Sequence, residues 1–216
     1  MNKGWIQAKW PAPPNVIAGT TVRDSDYELP AEPHRLTQVH GARVVRWGSA
    51  DFDHGPPQAD AIVADEPGAC CAVRTADCLP ILLCAADGTE IAAAHGGWRG
   101  LAAGIVEETV TSMSTPAADL LAWFGPAISQ PAFEVGAEVR DAFVGATPAA
   151  AEAFVQNERG QWQADLTMLA AQSLGLVGVT SIYGGGLCTV ADKKRFYSYR
   201  RDGSSGRMLS FIYRSL

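Results

Sequence analysis

His40, Cys78 and His95 are the side chains whose types and spacing point most directly to chemistry. Each sits among small residues, in the segments Gln38-Val-His-Gly41, Thr75-Ala-Asp-Cys-Leu-Pro80 and Ala92-Ala-Ala-His-Gly-Gly-Trp-Arg-Gly100. Gaps of 38 and 17 residues do not fit the local ligand pairs of a zinc finger. A thiolate and two imidazoles suit Zn²⁺, and three protein ligands leave a fourth position open, as in catalytic zinc sites. An ion held this way lowers the pKa of its water towards neutrality or polarises a substrate atom. Spacing alone also allows a plainer arrangement, with each histidine a satisfied surface or core residue and Cys78 a small buried hydrophobe.

Arg99 adds an anion argument. A helix beginning near Arg99 or Gly100 would present unpaired N–H groups and the positive end of its dipole. The planar guanidinium of Arg99 could then hold a phosphate or carboxylate in two places. Equally, Arg99 could pair with a structural carboxylate while Trp98 simply packs. Asp77, beside Cys78, reads either as a proton-relay group or as a structural cap. Cys188 lies in the turn at 183–189, where it could face a pocket, although the three glycines there read first as backbone devices. The stretch 195–201 alternates aromatic and polar residues like a half-buried strand and could also stack a flat ring. Cys70, Cys71 and Cys84 fall in apolar runs and read as core; His34 and His54 sit in polar stretches and read as exposed.

These side chains need strand ends to hold them. Alternation and β-branched content predict strands near 16–22, 43–47, 61–64, 70–75, 80–84, 90–94, 120–124, 180–183 and 208–213. An i, i+4 row of Leu101, Ile105, Thr109 and Met113 predicts one amphipathic helix over 101–113. Further helices are expected at 137–144 and at 166–174 with Asp165 as N-cap, and 146–154 is Ala-rich and helix-prone. The candidate site residues thus fall where strands open into loops, the usual place for sites in α/β folds. No internal repeat or linker-like segment divides the chain, so 1–216 reads as one mixed α/β domain.

Composition narrows the function. With 216 residues, 47% of them hydrophobic and 19% charged, the chain has material for one real core. A balance of 17 Lys+Arg against 23 Asp+Glu gives −6, which argues against a nucleic-acid partner. The longest apolar stretch, 79–86, is less than half the roughly 20 residues of a spanning helix, so no membrane partner is expected. The N-terminus lacks the apolar region of a signal peptide, and five Cys form no disulfide framework; both point to the reducing cytoplasm. Phosphate-loop, dinucleotide-fold, nucleophile-elbow, zinc-deaminase and HExxH signatures are all missing.

The segments QVHG, TADCLPILL, AAAHGGWRGLAAGI, GPAI with FEVG, GGGLCT and FYSYRRDG with SSGRM, in this order, resemble the laccase-domain family. Its members were once labelled multicopper polyphenol oxidases and are now read as purine nucleoside phosphorylases with adenosine deaminase activity. The resemblance runs from about His34 to the C-terminus. It implies a layered α/β/β/α sandwich with mixed β-sheets, and it makes His40, Cys78 and His95 the zinc ligands and catalytic residues. Arg99, Arg23 and Cys188 become the candidate substrate-binding residues. The family is related to a bacterial toxin domain that uses a Cys–His pair as a hydrolase. Two departures stand out. Thr20-Thr-Val-Arg23 is followed only by DSDYELPAEP before His34, a shortened segment where the family carries Gly-rich and Asn-Leu-Gly stretches. Ala132-Phe133 replaces the frequent Cys-Tyr, which argues against a role for those two positions.

The resulting expectation is a zinc enzyme of purine nucleosides, working by phosphorolysis of adenosine, inosine or guanosine types and by deamination of adenosine. Its partners would be nucleosides and phosphate, and the protein a monomer or small homo-oligomer. Copper in the same ligands, giving polyphenol oxidation, is the first alternative, although four His are too few for a multicopper centre. A metal-free thiol hydrolase is the second, with Cys78 as nucleophile and His95 as base acting on cell-wall precursor peptides. A non-catalytic scaffold with a structural metal fits less well, because three ligands leave the coordination open.

Overall fold

Apolar runs with no polar alternation mark strands covered on both faces, and the centre of this molecule is built from them. The computed structural model describes residues 4–24, 26–203 and 206–216. Residues 1–3, Ser25 of the shortened segment, and Ser204 and Ser205 of the SSGRM stretch lie outside the described residues. The strands, in chain order, are β1 (Trp5–Gln7), β2 (Val16–Thr21), β3 (Val44–Arg46), β4 (Ala61–Ala64), β5 (Cys70–Thr75), β6 (Leu79–Ala85) and β7 (Ile91–Gly96). They continue with β8 (Leu120–Phe124), β9 (Glu134–Val135), β10 (Phe154–Gln156), β11 (Trp162–Ala164), β12 (Ser181–Gly184) and β13 (Met208–Arg214). The α-helices are α1 (Trp98–Ala102), α2 (Ile105–Ser112), α3 (Ala137–Val144), α4 (Leu166–Leu176) and α5 (Tyr199–Asp202).

A six-stranded sheet of order β12-β8-β6-β7-β4-β3 packs on a four-stranded sheet of order β1-β2-β13-β5. The first is mixed: β12 runs parallel to β8 and β3 parallel to β4, while the pairings between them are antiparallel. Period-two alternation sorts its side chains. Ile81, Leu83, Ala92, Ala94, Ala61 and Val63 face the helices, with Leu101, Ile105, Val106, Leu169 and Leu174 in the same cluster. Leu82, Cys84, Ile91, Ala93, Ile62 and Ala64 face the other sheet, meeting Val16, Ala18, Cys71, Val73 and Ile212. The outer face of the four-stranded sheet, with Cys70, Ala72, Leu209 and Phe211, is covered by Leu29 and Ala31 of the extended chain before β3. A small sheet of order β10-β11-β9 completes the fold. The layered mixed α/β architecture that the resemblance implies is the one observed.

Register places the site. Leu79 lies opposite Gly96 and Pro80 opposite His95, which sets Cys78, just before β6, beside the end of β7. On the other flank Ala61 lies opposite Ala94, and the carbonyl of Asp60 accepts the His95 N–H at 2.7 Å. Asp60 N–H in turn donates to Arg43 O at 3.0 Å, which ties in the loop that carries His40.

Several expectations need correction. The single helix over 101–113 is two helices, α1 and α2, separated at Gly104, whose φ of +89° is open to glycine and strained for other residues. The break lets α1 leave the strand end at its own angle before α2 lays Ile105, Val106 and Val110 on the sheet. The strand expected at 90–94 runs on through His95 to Gly96. Residues 195–201 form no strand; the chain turns there into α5, capped by Ser198, whose side chain accepts from Arg201 N. Residues Pro148–Ala153 form a 3-10 helix, and Phe154 begins a strand. The helix at α3 has the expected bounds, and α4 is N-capped by Asp165, whose carboxylate accepts from Met168 N at 3.0 Å.

Leu82 is fully buried between the two sheets. Leu82→Ala should therefore lower stability by about 2–5 kcal/mol, read as a lower midpoint in urea with an unchanged slope.

Candidate metal centre

Asp60 is fully buried and accepts four hydrogen bonds. His95 Nδ1 lies 2.8 Å from Asp60 Oδ1. An ionised carboxylate has no proton to give, so Nδ1 is the donor and Nε2 is left to meet Cys78, as an N–H in the metal-free protein and as a lone pair towards a bound ion. The backbone N–H groups of Val39, His40 and Gly41 donate to the same carboxylate at 3.2, 2.9 and 2.7 Å. These bonds hold His40 at φ +61°, a left-handed conformation that a non-glycine residue adopts at a cost of about 1–3 kcal/mol. One carboxylate thus fixes the ring of one candidate ligand and the backbone of the other.

Cys78 is placed by its neighbour. Asp77 also has a positive φ, +94°, and its carbonyl accepts from Ile128 N at 2.9 Å. Thr189 Oγ1 donates to Asp77 Oδ1 at 2.5 Å and Arg200 N donates to Oδ2 at 2.6 Å. Both oxygens are thus engaged in holding the chain, which is the structural cap the sequence allowed for Asp77.

The outcome is that one ligand atom from each of His40, Cys78 and His95 lies within 4.8 Å of the other two. The two imidazoles meet edge to face with centroids 4.7 Å apart. A Cβ at Gly97 would come 3.1 Å from His40 Cδ2, 3.2 Å from Cys78 Sγ and 3.5 Å from His95 Nε2. Glycine therefore keeps open the space onto which the three donors converge. The donors, their convergence and this space all fit a metal ion.

Electrostatics agree. Burial alone would push the Cys78 thiol up, but hydrogen bonds with His40 and His95, and their charge, hold it down at about 6. Burial disfavours charge on His95, yet hydrogen bonds to Asp60 and Cys78 raise it to about 9. Burial opposes ionisation of Asp60 as well, and the bonds from His95, Gly41 and His40 outweigh it. By contrast, burial pushes Cys70 and Cys84 up to about 12 and raises Cys71 well above its ordinary value. Those three are inert core thiols, as their apolar runs imply.

The cluster opens into a cleft of about 920 Å³, also lined by Arg74, Arg200, Arg207, Phe133 and Tyr199. That volume suits a small molecule. Arg99 is exposed, lies with its guanidinium 4.4 Å from the Trp98 ring centroid, and does not line the cleft. Arg23 lies outside it too, paired with Asp24 and Asp202 and stacked on Tyr197. Cys188 accepts from Ser129 Oγ at 2.9 Å and is likewise outside the lining. Burial opposes its ionisation, but that bond and backbone N–H groups lower its pKa. His34 is not simply exposed: it stacks on Trp47 with centroids 3.3 Å apart. Phe133 reverses an expectation, since it lines the cleft where its departure from Cys-Tyr argued against a role. Asp60 was not singled out in the sequence; its signal is an acidic residue directly before the fully buried run 61–64. Tyr199 and Arg200 come from the stretch 195–201 that could line a pocket, and Arg207 from the SSGRM segment, whereas Arg74 carries no comparable local mark.

A mixed α/β sandwich with a His–Cys–His cluster at its strand ends, opening into a cleft lined by both polar and apolar side chains, defines a small-molecule site able to hold a metal. Residues 13–215 match the family model described as multi-copper polyphenol oxidoreductase laccase, and the chain belongs to that family. It is 43% identical to a purine nucleoside phosphorylase of Pseudomonas aeruginosa, covering 97% of this chain and 98% of that protein. It is 49% identical to the purine nucleoside phosphorylase YfiH of Escherichia coli K12, over 86% of this chain and 75% of that protein. A crystal structure of a Neisseria meningitidis protein superposes with a TM-score of 0.93 at 40% identity, covering 99% of this chain and 100% of the other.

Two measurements check the centre. Asp60→Asn should weaken zinc or copper binding about 10–100-fold in competition with a chelator, because the His95 ring loses its anionic partner. In metal-free protein, iodoacetamide should alkylate Cys78 before the other thiols, with a rate that rises as pH passes up through about 6. A midpoint near 9 would show that the imidazoles do not stabilise the thiolate.

Proposed function

We propose that the protein is a zinc-dependent purine nucleoside phosphorylase that also deaminates adenosine. The observation that carries this reading is the convergence of His40, Cys78 and His95 on a space kept open by Gly97, at a cleft of small-molecule size. Relatives with the phosphorylase name at up to 49% identity support the purine nucleoside assignment. His40, Cys78 and His95 hold the ion and are the catalytic set. When bound, zinc supplies a Lewis acid and a means of activating water near neutral pH. The chain's own residues do the rest. Asp60 keeps the His95 tautomer fixed, and the Asp77 clamp holds Cys78 in place. Tyr199, exposed where it lines the cleft, offers an aromatic face to a flat base.

In phosphorolysis the bond between ribose C1′ and the purine nitrogen breaks, a phosphate oxygen bonds to C1′, and the base leaves with a proton. The partners are nucleosides and phosphate. Among the described residues no helix is long and apolar enough to cross a membrane, and free cysteines suit a reducing cytoplasm. The protein acts as a monomer or small homo-oligomer.

Zinc-loaded protein incubated with adenosine should release adenine and ribose 1-phosphate when phosphate is present, and inosine with ammonia when it is absent. Contaminant-free protein that makes neither would remove the reading. A second reading rests on Cys78, His95 and Asp60 forming a thiol, a base and an orienting carboxylate in sequence. It is a thiol hydrolase of amides such as cell-wall precursor peptides, and peptide hydrolysis that survives chelators would favour it. Copper in the same donors is the metal that the family description suggests. Stoichiometric copper in protein purified without added metal, with phenol oxidation, would favour that assignment.

A further inference from the structure

Arg74, Arg200 and Arg207 line the cleft that contains Cys78, and among the described residues Asp77 is the one carboxylate lining it. Asp77 is already occupied by Thr189 and by the backbone of Arg200. The chain as a whole carries −6, so this concentration of positive charge runs against the general balance.

Most arginines elsewhere are neutralised: Arg23, Arg43, Arg46, Arg159, Arg195 and Arg201 each pair with a carboxylate. Arg74 is different. The Gln38 side chain bonds its backbone on both sides, accepting from Arg74 N at 2.8 Å and donating to Arg74 O at 2.9 Å. That grip fixes the main chain at the end of β5, while the exposed guanidinium makes no hydrogen bond, ion pair or ring contact among the described residues. Arg200 is steered by carbonyls. Its Nη1 donates to Glu134 O at 3.1 Å and Ala132 O at 3.4 Å, and its guanidinium carbon lies 5.3 Å from the Phe133 centroid. Carbonyls orient a guanidinium without cancelling its charge. Two guanidinium groups lining one cleft without carboxylate partners suit the charge of a tetrahedral oxyanion, which each fork can bind through paired N–H groups.

We infer that Arg74 and Arg200, with Arg207 on the same cleft, form a subsite for a phosphate dianion. The group is either free inorganic phosphate or the phosphate of an ester. Its use as the seat of the attacking phosphate rests on the phosphorylase reading; the binding of the oxyanion does not.

The test uses metal-free protein, Cys78 as reporter, and two alkylating agents of different charge. A positive cleft should favour anionic iodoacetate over neutral iodoacetamide, and Arg74→Gln with Arg200→Gln should lower the rate ratio about tenfold. Arg74→Lys should restore part of it, and Arg159→Gln, outside the cleft, should leave it unchanged. An unaltered iodoacetamide rate reports that Cys78 and the fold are intact, and Arg74→Gln alone serves if the double variant does not fold. Inorganic phosphate should slow iodoacetate in the parent protein and not in the variants, and adenosine 5′-monophosphate is run in parallel. Protection by inorganic phosphate assigns free phosphate, and protection by the ester alone assigns an esterified one. A ratio that does not change in the variants, or protection by neither anion, overturns the subsite. Arginine-dependent protection in a protein that cleaves no nucleoside keeps the subsite and removes phosphorolysis. Cleavage with no arginine dependence does the reverse.

Discussion

A carboxylate without access to water is tolerated only when its hydrogen-bond capacity is filled, and Asp60 shows what that condition can build. Three successive backbone N–H groups and one imidazole satisfy it. The same four bonds that make its burial possible also bend the chain at His40 into a left-handed conformation and turn the Nε2 side of His95 towards Cys78. The polarity of the thiol follows: with the imidazoles oriented, the sulfur is better charged than neutral despite its burial. Remove the carboxylate and neither the backbone bend nor the tautomer has a remaining cause.

Long-range closure depends on a second carboxylate used in the same manner. Asp77 connects the turn before β6 to Thr189 and to the start of α5, over 112 and 123 residues of sequence. The cleft wall that bears Tyr199 and Arg200 is thereby attached to the loop that bears Cys78. Both residues with positive φ at the site, His40 and Asp77, are held by such bonds. Their strain is offset by contacts far along the chain, as expected where a site requires a geometry its own sequence disfavours.

The sandwich was largely readable in the residues because its central strands are apolar on both faces. The runs 61–64, 70–75 and 120–124 have no polar residue that would make another assignment competitive, apart from Arg74 and Thr75 at the end of β5. Where the reading failed, a local pattern was overruled by a single backbone feature. The Leu101 to Met113 row is a genuine helical face, but Gly104 divides it. The aromatic alternation at 195–201 has the period of a strand, yet Ser198 starts a helical turn. The short strands β1, β9, β10 and β11 have two or three residues each, too few for any periodicity. At the site, ligands flanked by small residues were legible, and the family resemblance decided between readings that spacing left open. Arg99 looked right by proximity to His95, but its side chain turns onto Trp98. The arginines that do reach the cleft come from three separate parts of the chain.

Three of the five sulfhydryls are sealed within the β-layers, where peroxide has no route to them and ionisation is suppressed. Oxidative damage is thereby channelled to Cys78 and Cys188, the two with partial access. Under oxidant such a molecule would lose its cleft thiolate long before it came apart, leaving a well-folded population that spectroscopy of secondary structure would not distinguish from fresh protein.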